Sequence, residues 1–467
     1  MKAKQNKFPN TDLKSQKNKY ILVAGLGKSG FSIAQFLNTR GFNVLVTDID
    51  SSKKKKAQQL EKQGIKTEIG FHKLETFENA EKIVTSPGIP LNFKYFKRAL
   101  EKKVPIIGEL DLVAEYIKQP IIAITGTNGK TTVTCMITEM LKASGFKVFT
   151  GGNIGIPLLE YFNEKEKKDI IVAEVSSFQL DTVFKFAPKV ALLLNITRDH
   201  LDRYTDLKAY AGSKWSIFKN QTHKDTAIIN NDIYMCEKEI SKLKSKCVFF
   251  GKKTKKNGFK GCIIESDKIR IYDKTFNQDK EEILDISNFH LKGMHNRENI
   301  AASCLAVLAV GGTIKGIKKG LENFSGLSHR IEYVKTINGV EYYNDSKATN
   351  PDAVLRALES FKDNIILIMG GKEKNTDFSY IRDIVKKKVK KIIVIGEAKQ
   401  KIAKSLSLVC EIFFADSMKH AVNKAFQLGI KKDIVLLSPA CASFDMYENY
   451  AQRGHDFVKH IKALKRK

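Results

Sequence analysis

The sequence predicts an α/β protein of three domains: a Rossmann-like N-terminal domain, a central P-loop ATPase-type α/β domain and a Rossmann-like C-terminal domain. Three observations carry that expectation. Two glycine-rich turns, Gly25-Leu26-Gly27-Lys28-Ser29-Gly30 and Gly126-Thr127-Asn128-Gly129-Lys130-Thr131-Thr132, each follow a short apolar run and lead into a helical pattern. That order aims backbone N–H groups and a helix N-terminus at an anion. From about residue 326, apolar runs alternate with helical stretches, which predicts a mainly parallel sheet with helices on both faces.

Taken in order, residues 1–19 are basic and polar with no apolar stretch, so a disordered tail is expected and no secretory signal. Residues 20–110 form the first domain. Tyr20 to Ala24 reads as a strand, then come G-x-G-x-x-G, a helix and the strand FNVLVTD ending at Asp48. That is a βαβ unit with an acid roughly 20 residues past the glycines. On its own it proposes a dinucleotide, although the same turn serves other diphosphates. KIVTSPG and VPIIGELDL continue the domain.

Residues 111–325 form the central block. The apolar run Ile121 to Ile124 enters the second glycine turn, where Lys130 can reach β- and γ-phosphates and the Thr131 hydroxyl suits a Mg²⁺ ion. The usual P-loop pattern asks for glycine at position 124, where this chain has isoleucine. Gly151-Gly152-Asn153-Ile154-Gly155 is a further turn, and DIIVAEV is a buried strand ending near Glu174. After the strand Val190 to Leu194, the polar residues Asn195, Thr197, Asp199, His200, Asp202 and Arg203 crowd its C-terminal end, where open α/β sheets place ligands. A helix carries Lys214 beside Trp215; CVFF, CIIE and IRIYD read as peripheral strands; an apolar helix follows His295-Asn296-Arg297-Glu298-Asn299. Gly326 to Glu332 is a polar link, and residues 326–467 form the third domain with strands VEYYND, NIILIMGG, KIIVIG, EIFFAD and DIVLLSP.

Composition narrows the function classes. The 467 residues allow two to four domains at roughly 100–200 residues each. A net charge of +29 raises nucleic-acid binding. Of the 80 basic residues, however, only 11 are arginine, and they do not interleave with aromatics, so a lysine-rich solvated surface is the expectation. The seven cysteines form no C-x-x-C pair, as in a reducing cytoplasm. No apolar stretch approaches the ~18 residues needed to span a bilayer.

Four motifs in sequence order then carry a resemblance: G-T-N-G-K-T-T, N-x-T-x-D-H-x-D-R (Asn195 to Arg203), H-N-x-x-N (His295 to Asn299) and H-R-x-E (His329 to Glu332). Together they resemble the Mur ligases, ATP-dependent amino-acid ligases of peptidoglycan synthesis. Within that family, Asp345 to Asn350 and Leu437 to Ser443, with Gly25 to Gly30 and Ser86-Pro87-Gly88, resemble the branch that adds D-glutamate. The Asn-Pro-Arg run expected of diaminopimelate- or lysine-adding relatives is absent from the third block.

The resemblance implies a cytoplasmic monomer that takes small molecules, UDP-N-acetylmuramoyl-L-alanine and D-glutamate, with ATP and two Mg²⁺ ions, and binds neither nucleic acid nor membrane. It implies phosphorylation of the alanyl carboxylate, then amine attack on the acyl phosphate. ATP would meet Gly126, Thr127, Asn128, Gly129, Lys130, Thr131, Thr132 and Val133, with Asn299, Arg330 and Asp345 on adenine, phosphate and ribose. Thr131 and Glu174 would hold one metal each, with His200 also on the second and a carbamylated Lys214 supplying an anion where an ammonium cannot bind a cation. Lys130, Glu174, His200, Lys214 and Lys347 form the catalytic set. The uridine diphosphate would lie on Leu26, Gly27, Lys28 and Ser29, with Asp48 near uracil or ribose and Asn153 near the muramoyl group. Relatives have a basic residue after strand two that Thr47-Asp48-Ile49-Asp50 lacks. D-glutamate would meet Thr349, Lys374, Ser443, Phe444 and Tyr450. Three rivals stay open: a relative adding another amino acid or a folate tail, a nicotinamide oxidoreductase, and a basic nucleic-acid-binding ATPase.

Overall fold

The computed structural model describes residues 19–153, 155–200, 203–233, 236–252, 260–272, 282–287, 289, 293–324, 326–373 and 376–464. The expected basic tail, apart from Lys19, falls outside them, as do Asp202 and Lys374.

Among the described residues the strands form three sheets. In the first, β1 (Ile21–Ala24), β2 (Val44–Asp48), β3 (Lys66–Ile69), β4 (Lys82–Thr85) and β5 (Ile106–Gly108) lie in the order β3-β2-β1-β4-β5, all parallel. The order reverses at β1, so the glycine turn after β1 stands at the switch point where open sheets bind ligands. Leu22, Ala24 and Ile83 pack with Phe77 and Phe96 on one face.

The second sheet comprises β6 (Ile121–Thr125), β7 (Val148–Gly152), β8 (Ile170–Glu174), β9 (Val190–Leu193), β10 (Thr226–Asn230), β11 (Lys246–Gly251), β12 (Gly261–Ile264), β13 (Lys268–Tyr272) and β14 (Glu282–Asp285). Their order is β14-β13-β12-β11-β10-β9-β6-β8-β7. Strands β8, β6, β9, β10, β11 and β12 pair in parallel, whereas β13 and β14 are antiparallel additions at the edge; of the runs expected to be peripheral, IRIYD falls in β13, while CVFF and CIIE fall in the parallel strands β11 and β12. The central strands β6, β8 and β9 are buried along their whole length, as a sheet covered by helices on both faces requires. The helices Lys130–Ala143 and Met294–Ala309 supply Val133, Met136, Ile137, Leu305 and Leu308 to one core, shared with Ile122, Ile124, Val172 and Leu192 of these strands.

The third sheet comprises β15 (Glu332–Ile337), β16 (Val340–Asn344), β17 (Ile365–Gly370), β18 (Val389–Ile395), β19 (Glu411–Phe414) and β20 (Ile434–Leu437), ordered β15-β16-β20-β17-β18-β19. All pairs are parallel except β15 with β16. Alternation along a strand divides its side chains between two cores. Ile365, Leu367 and Met369 of β17 join one cluster, and Ile366 and Ile368 join the other.

By contacts, the chain divides into two compact units. The first gathers residues up to Lys118 with 151–167 and 177–187; the second holds 119–150, 168–176 and 188–467, so the central and third sheets share one unit. Among the described residues no helix is long and apolar enough to cross a membrane. Cys135, Cys247, Cys262, Cys304, Cys410 and Cys441 are free thiols.

Candidate functional site

In the second unit the chain leaves β6 through Gly126 at φ 157° and Gly129 at φ 88°, a left-handed value that favours glycine. A Cβ on Gly129 would lie 2.6 Å from Asn299 Oδ1, so Asn299 abuts the loop where the resemblance expects adenine contacts. Asn195, at the end of β9, clamps the loop from the side. Its Oδ1 accepts the Asn128 N–H at 2.8 Å and its Nδ2 donates to the Asn128 carbonyl at 3.0 Å. The Thr127 N–H reaches the Asn195 carbonyl at 3.0 Å, and the Thr127 hydroxyl accepts the Thr197 N–H at 3.0 Å. The loop conformation is thus held from the polar end of the neighbouring strand.

Lys130 opens the following helix, and its ammonium donates to the Gly126 and Thr127 carbonyls at 2.8 Å each. Lys214, only 1% exposed on the helix Leu207–Trp215, donates to the same Gly126 carbonyl at 2.9 Å and lies 4.5 Å from the Tyr210 ring centroid. Two amines therefore converge on one carbonyl oxygen. Burial lowers the Lys130 pKa, opposed by Glu174 and Asp199. Glu174, the last residue of β8, is 1% exposed. His200 is held at φ 54° by its N–H to Asp199 Oδ1 at 2.9 Å, and its Nε2 lies 3.8 Å from Asp199 Oδ2.

Residues of the third sheet face this loop within the same unit. Arg330 Nη2 donates to Thr131 Oγ1 at 3.1 Å. Asn128 Nδ2 donates to Asp352 at 2.6 Å, and Asn350 Nδ2 donates to Asp199 at 3.0 Å. Asp352 and Asn350 open the helix Pro351–Glu359, which Asn350 caps at the Ala353 N–H. Asp345 accepts the Ser438 hydroxyl at 2.8 Å and the Ile331 N–H at 3.3 Å; burial pushes its pKa up to about 7. Lys347 Nζ lies 3.7 Å from the centroid of the Tyr450 ring, and burial, followed by Arg330, brings its pKa down to about 7. Ser443 is buried and Thr349 half-buried, while Phe444 is 68% exposed.

Sequence reasoning passed over Arg453. Its guanidinium, buried in the helix Tyr450–Ala463, donates to the carbonyls of Ser346 (2.8 Å), Cys441 (3.1 Å), Ala442 (3.3 Å) and Gly370 (3.4 Å) and to the Ser346 hydroxyl (3.0 Å). It ties together the turns that carry Lys347 and Ser443. The only sequence signal was an arginine on a helix face shared with Phe457 and Ile461.

Among the described residues no group of three or more His, Cys, Asp or Glu could hold a metal. Mg²⁺ does not require one, since it keeps waters and binds through one or two carboxylates plus phosphate oxygens. The Thr131 hydroxyl and the Glu174 carboxylate suit that partial donor set.

In the first unit, the other glycine turn is built as its fingerprint requires. A Cβ on Gly30 would lie 1.8 Å from the Gly25 carbonyl oxygen, so the helix Lys28–Asn38 packs against the turn only with glycine there. Asp48 braces the turn: Oδ2 accepts the Leu26 N–H at 2.6 Å and Oδ1 the Asp50 N–H at 2.8 Å. Asn153 sits on an exposed turn closed by the Gly152 N–H to the Ile156 carbonyl.

Three family models match: a Mur ligase MurD-like N-terminal domain over residues 19–108, a Mur ligase middle domain over 124–307 and a Mur ligase glutamate ligase domain over 329–441. The chain is 43% identical over 453 residues to a UDP-N-acetylmuramoylalanine–D-glutamate ligase of Desulfosudis oleivorans, covering 96% of this chain and 97% of that protein. It is 40% identical to the protein of that name from Geotalea uraniireducens, with 96% and 98% covered. Among solved structures, the fold resembles a pseudomurein peptide ligase type C of Methanothermus fervidus (TM-score 0.60, 20% identity, 95% and 100% covered). It also resembles the UDP-N-acetylmuramate-alanine ligase of Thermotoga maritima (TM-score 0.58, 18% identity, 96% and 100% covered).

Proposed function

The chain belongs to the Mur ligase family, and from that membership we propose that it joins D-glutamate to UDP-N-acetylmuramoyl-L-alanine using ATP, a step of peptidoglycan precursor synthesis. The enzyme is an ATP-dependent amide-forming ligase. A carboxylate does not acylate an amine at neutral pH. One alanyl carboxylate oxygen therefore attacks the γ-phosphorus, the bond to ADP breaks, and an acyl phosphate forms. The neutral amine of D-glutamate then attacks the carbonyl carbon, the tetrahedral adduct expels phosphate, and the nitrogen loses its proton.

The observation that carries the reading is the approach of Arg330, from the third block, to Thr131 of the phosphate loop. Phosphoryl transfer is mainly positioning and charge neutralisation. Lys130 would exchange the Gly126 and Thr127 carbonyls for phosphate oxygens, with Arg330 beside it and Asn299 and Asp345 on adenine and ribose. Bound Mg²⁺ would neutralise developing phosphate charge, with Thr131 and Glu174 holding one ion each and His200 also on the second. Lys214 would be carbamylated. Carbamylation needs the neutral amine; Lys214 is buried, with the Lys130 amine on the same carbonyl. Lys347, able to change charge near pH 7, would meet the oxyanion of the adduct; Thr349, Lys374, Ser443, Phe444 and Tyr450 would receive D-glutamate. The nucleotide sugar would lie on Leu26, Gly27, Lys28 and Ser29, with Asn153 on the muramoyl group. Asp48 would act there through the turn it braces. The reaction belongs in the cytoplasm, where ATP is available, and needs no partner beyond these small molecules.

Phosphate release from ATP, measured with UDP-N-acetylmuramoyl-L-alanine and Mg²⁺ across a panel of amino acids, tests the reading. Release requiring D-glutamate, with a product heavier by one glutamyl residue, is expected. Release with a different amino acid would keep the mechanism and overturn the assignment of the third-block residues.

A further inference from the structure

Glu109 opens the helix Glu109–Tyr116 and is 1% exposed. Its Oε1 accepts the Leu158 N–H at 3.0 Å, and the Ser29 hydroxyl, the Leu159 N–H and the Gln179 side chain also bear on the carboxyl. All of these belong to the first unit. Ser29 stands in the glycine turn at the start of the helix Lys28–Asn38; Leu158 and Leu159 open the helical turn Leu158–Asn163, five residues beyond Asn153; Gln179 lies in the helix Ser177–Leu180. One buried acid thus joins three segments that are distant in sequence.

A cleft of about 430 Å³ lies between the first two of them. Lys28 and Phe31 line it from the glycine turn and its helix, Ile156 and Glu160 from the other segment, and Lys56 lines it as well. Two lysines on one cleft suit a diphosphate, the charge carried by the proposed nucleotide sugar. A buried carboxyl is costly and persists where neighbours hold it. Here Ser29 directly follows Lys28 on one wall of the cleft and Leu158 directly follows Pro157 on the other, so the carboxyl ties both walls from behind, with Gln179 as a third anchor. Burial outweighs them and raises the Glu109 pKa above the ordinary carboxylate range.

We propose that Glu109 is a positioning residue for the nucleotide-sugar substrate, fixing the spacing of the cleft walls so that Lys28 and Lys56 meet its diphosphate. The inference rests on the substrate reading above and extends it to residues that would touch the substrate only through Ser29 and the Asn153 turn, or, for Lys56, directly.

The test titrates uridine diphosphate into the full-length protein and its Glu109→Gln and Lys56→Ala variants by calorimetry, and measures KM for each of the three substrates. Glutamine keeps the side-chain length and one acceptor for Leu158 but replaces the second oxygen with a donor. Glu109→Gln is expected to weaken UDP binding and raise the KM for the uridyl substrate by roughly tenfold, leaving kcat and the KM for ATP within about twofold. Lys56→Ala, a surface change, is expected to weaken UDP binding several-fold. Unchanged UDP affinity in Glu109→Gln would overturn the proposal while leaving the ligase reading intact. Equal losses for UDP and ATP would also overturn it, marking the residue as a general prop for the fold. UDP binding that depends on Glu109 and Lys56, without any D-glutamate-dependent turnover, would keep the proposal and sink the ligase reading. A wild type that binds no UDP would overturn both.

Discussion

Asp345 has a pKa of about 7 in the fold against 3.8 as a free side chain, because burial disfavours its charge more than Ser438, Arg330 and Ile331 favour it. The folded state therefore holds this proton where the unfolded chain has released it. The contribution to stability is whole below about pH 4 and is lost as pH rises through 7, by at most about 4 kcal/mol. Urea unfolding from pH 4 to 8 is expected to show a steeper loss of stability in the wild type than in Asp345→Asn; equal slopes would contradict the buried-acid account. Lys347 has the opposite sign. Its folded pKa lies near 7, below the ordinary 10.5, so stability from this group rises between about pH 7 and 10.5. At this scale the sequence was partly legible. Gly129 and Lys130 announce themselves by local spacing, whereas Lys214 meets Gly126 across 88 residues of chain, and only the motif context singled it out.

The phosphate loop is strong as an element because its shape is enforced twice, by the left-handed Gly129 and by the clamp of Asn195. Gly129→Ala strains the turn and drives a methyl group into Asn299. It is expected to lower kcat/KM for ATP by roughly a hundredfold with a smaller effect on UDP affinity. Arg453→Met strips donors from four carbonyls and should destabilise the protein by about 3–5 kcal/mol in chemical denaturation, raising the KM for D-glutamate in the protein that remains folded. Strand identity was legible wherever apolar runs were uninterrupted, as in β6, β8 and β17. The sequence reading ends its polar link at Glu332 and assigns no strand before VEYYND, although Asn338-Gly339, both at positive φ, is the two-residue turn that joins β15 to β16. Its half-exposed residues gave no apolar run to notice. The distance of Asp48 from the glycines proposes a dinucleotide site; both of its oxygens accept backbone N–H groups of its own unit, contacts that spacing alone does not encode.

For the whole molecule, the sequence shows three successive α/β blocks, and the structure shows three sheets. Contacts then join the third block to most of the central one in one compact unit, while residues 111–118, 151–167 and 177–187 of the central block fall with the first. No sequence pattern signals that joining. Polar pairs such as Asn128 with Asp352 and Asn350 with Asp199, each more than 150 residues apart, bridge the two blocks. Asp352→Ala removes both the Asn128 pair and the ion pair with Arg356 at 3.1 Å, and leaves Arg356 with Glu298 at 3.6 Å. The variant is expected to raise the KM for D-glutamate several-fold with little change in melting temperature, because the phosphate loop and the third sheet each keep their own cores. A large fall in melting temperature would show instead that the pair is part of the fold's stability. The central claim, that these two blocks cooperate to activate a carboxylate by phosphorylation, is tested most directly with UDP-N-acetylmuramoyl-L-alanine carrying ¹⁸O in its alanyl carboxylate. Turnover with ATP and D-glutamate should deliver one labelled oxygen to the released phosphate, because the acyl C–O bond breaks after that oxygen has joined phosphorus. Phosphate released without label, together with an unlengthened nucleotide, would show that ATP is hydrolysed by water and would contradict the account.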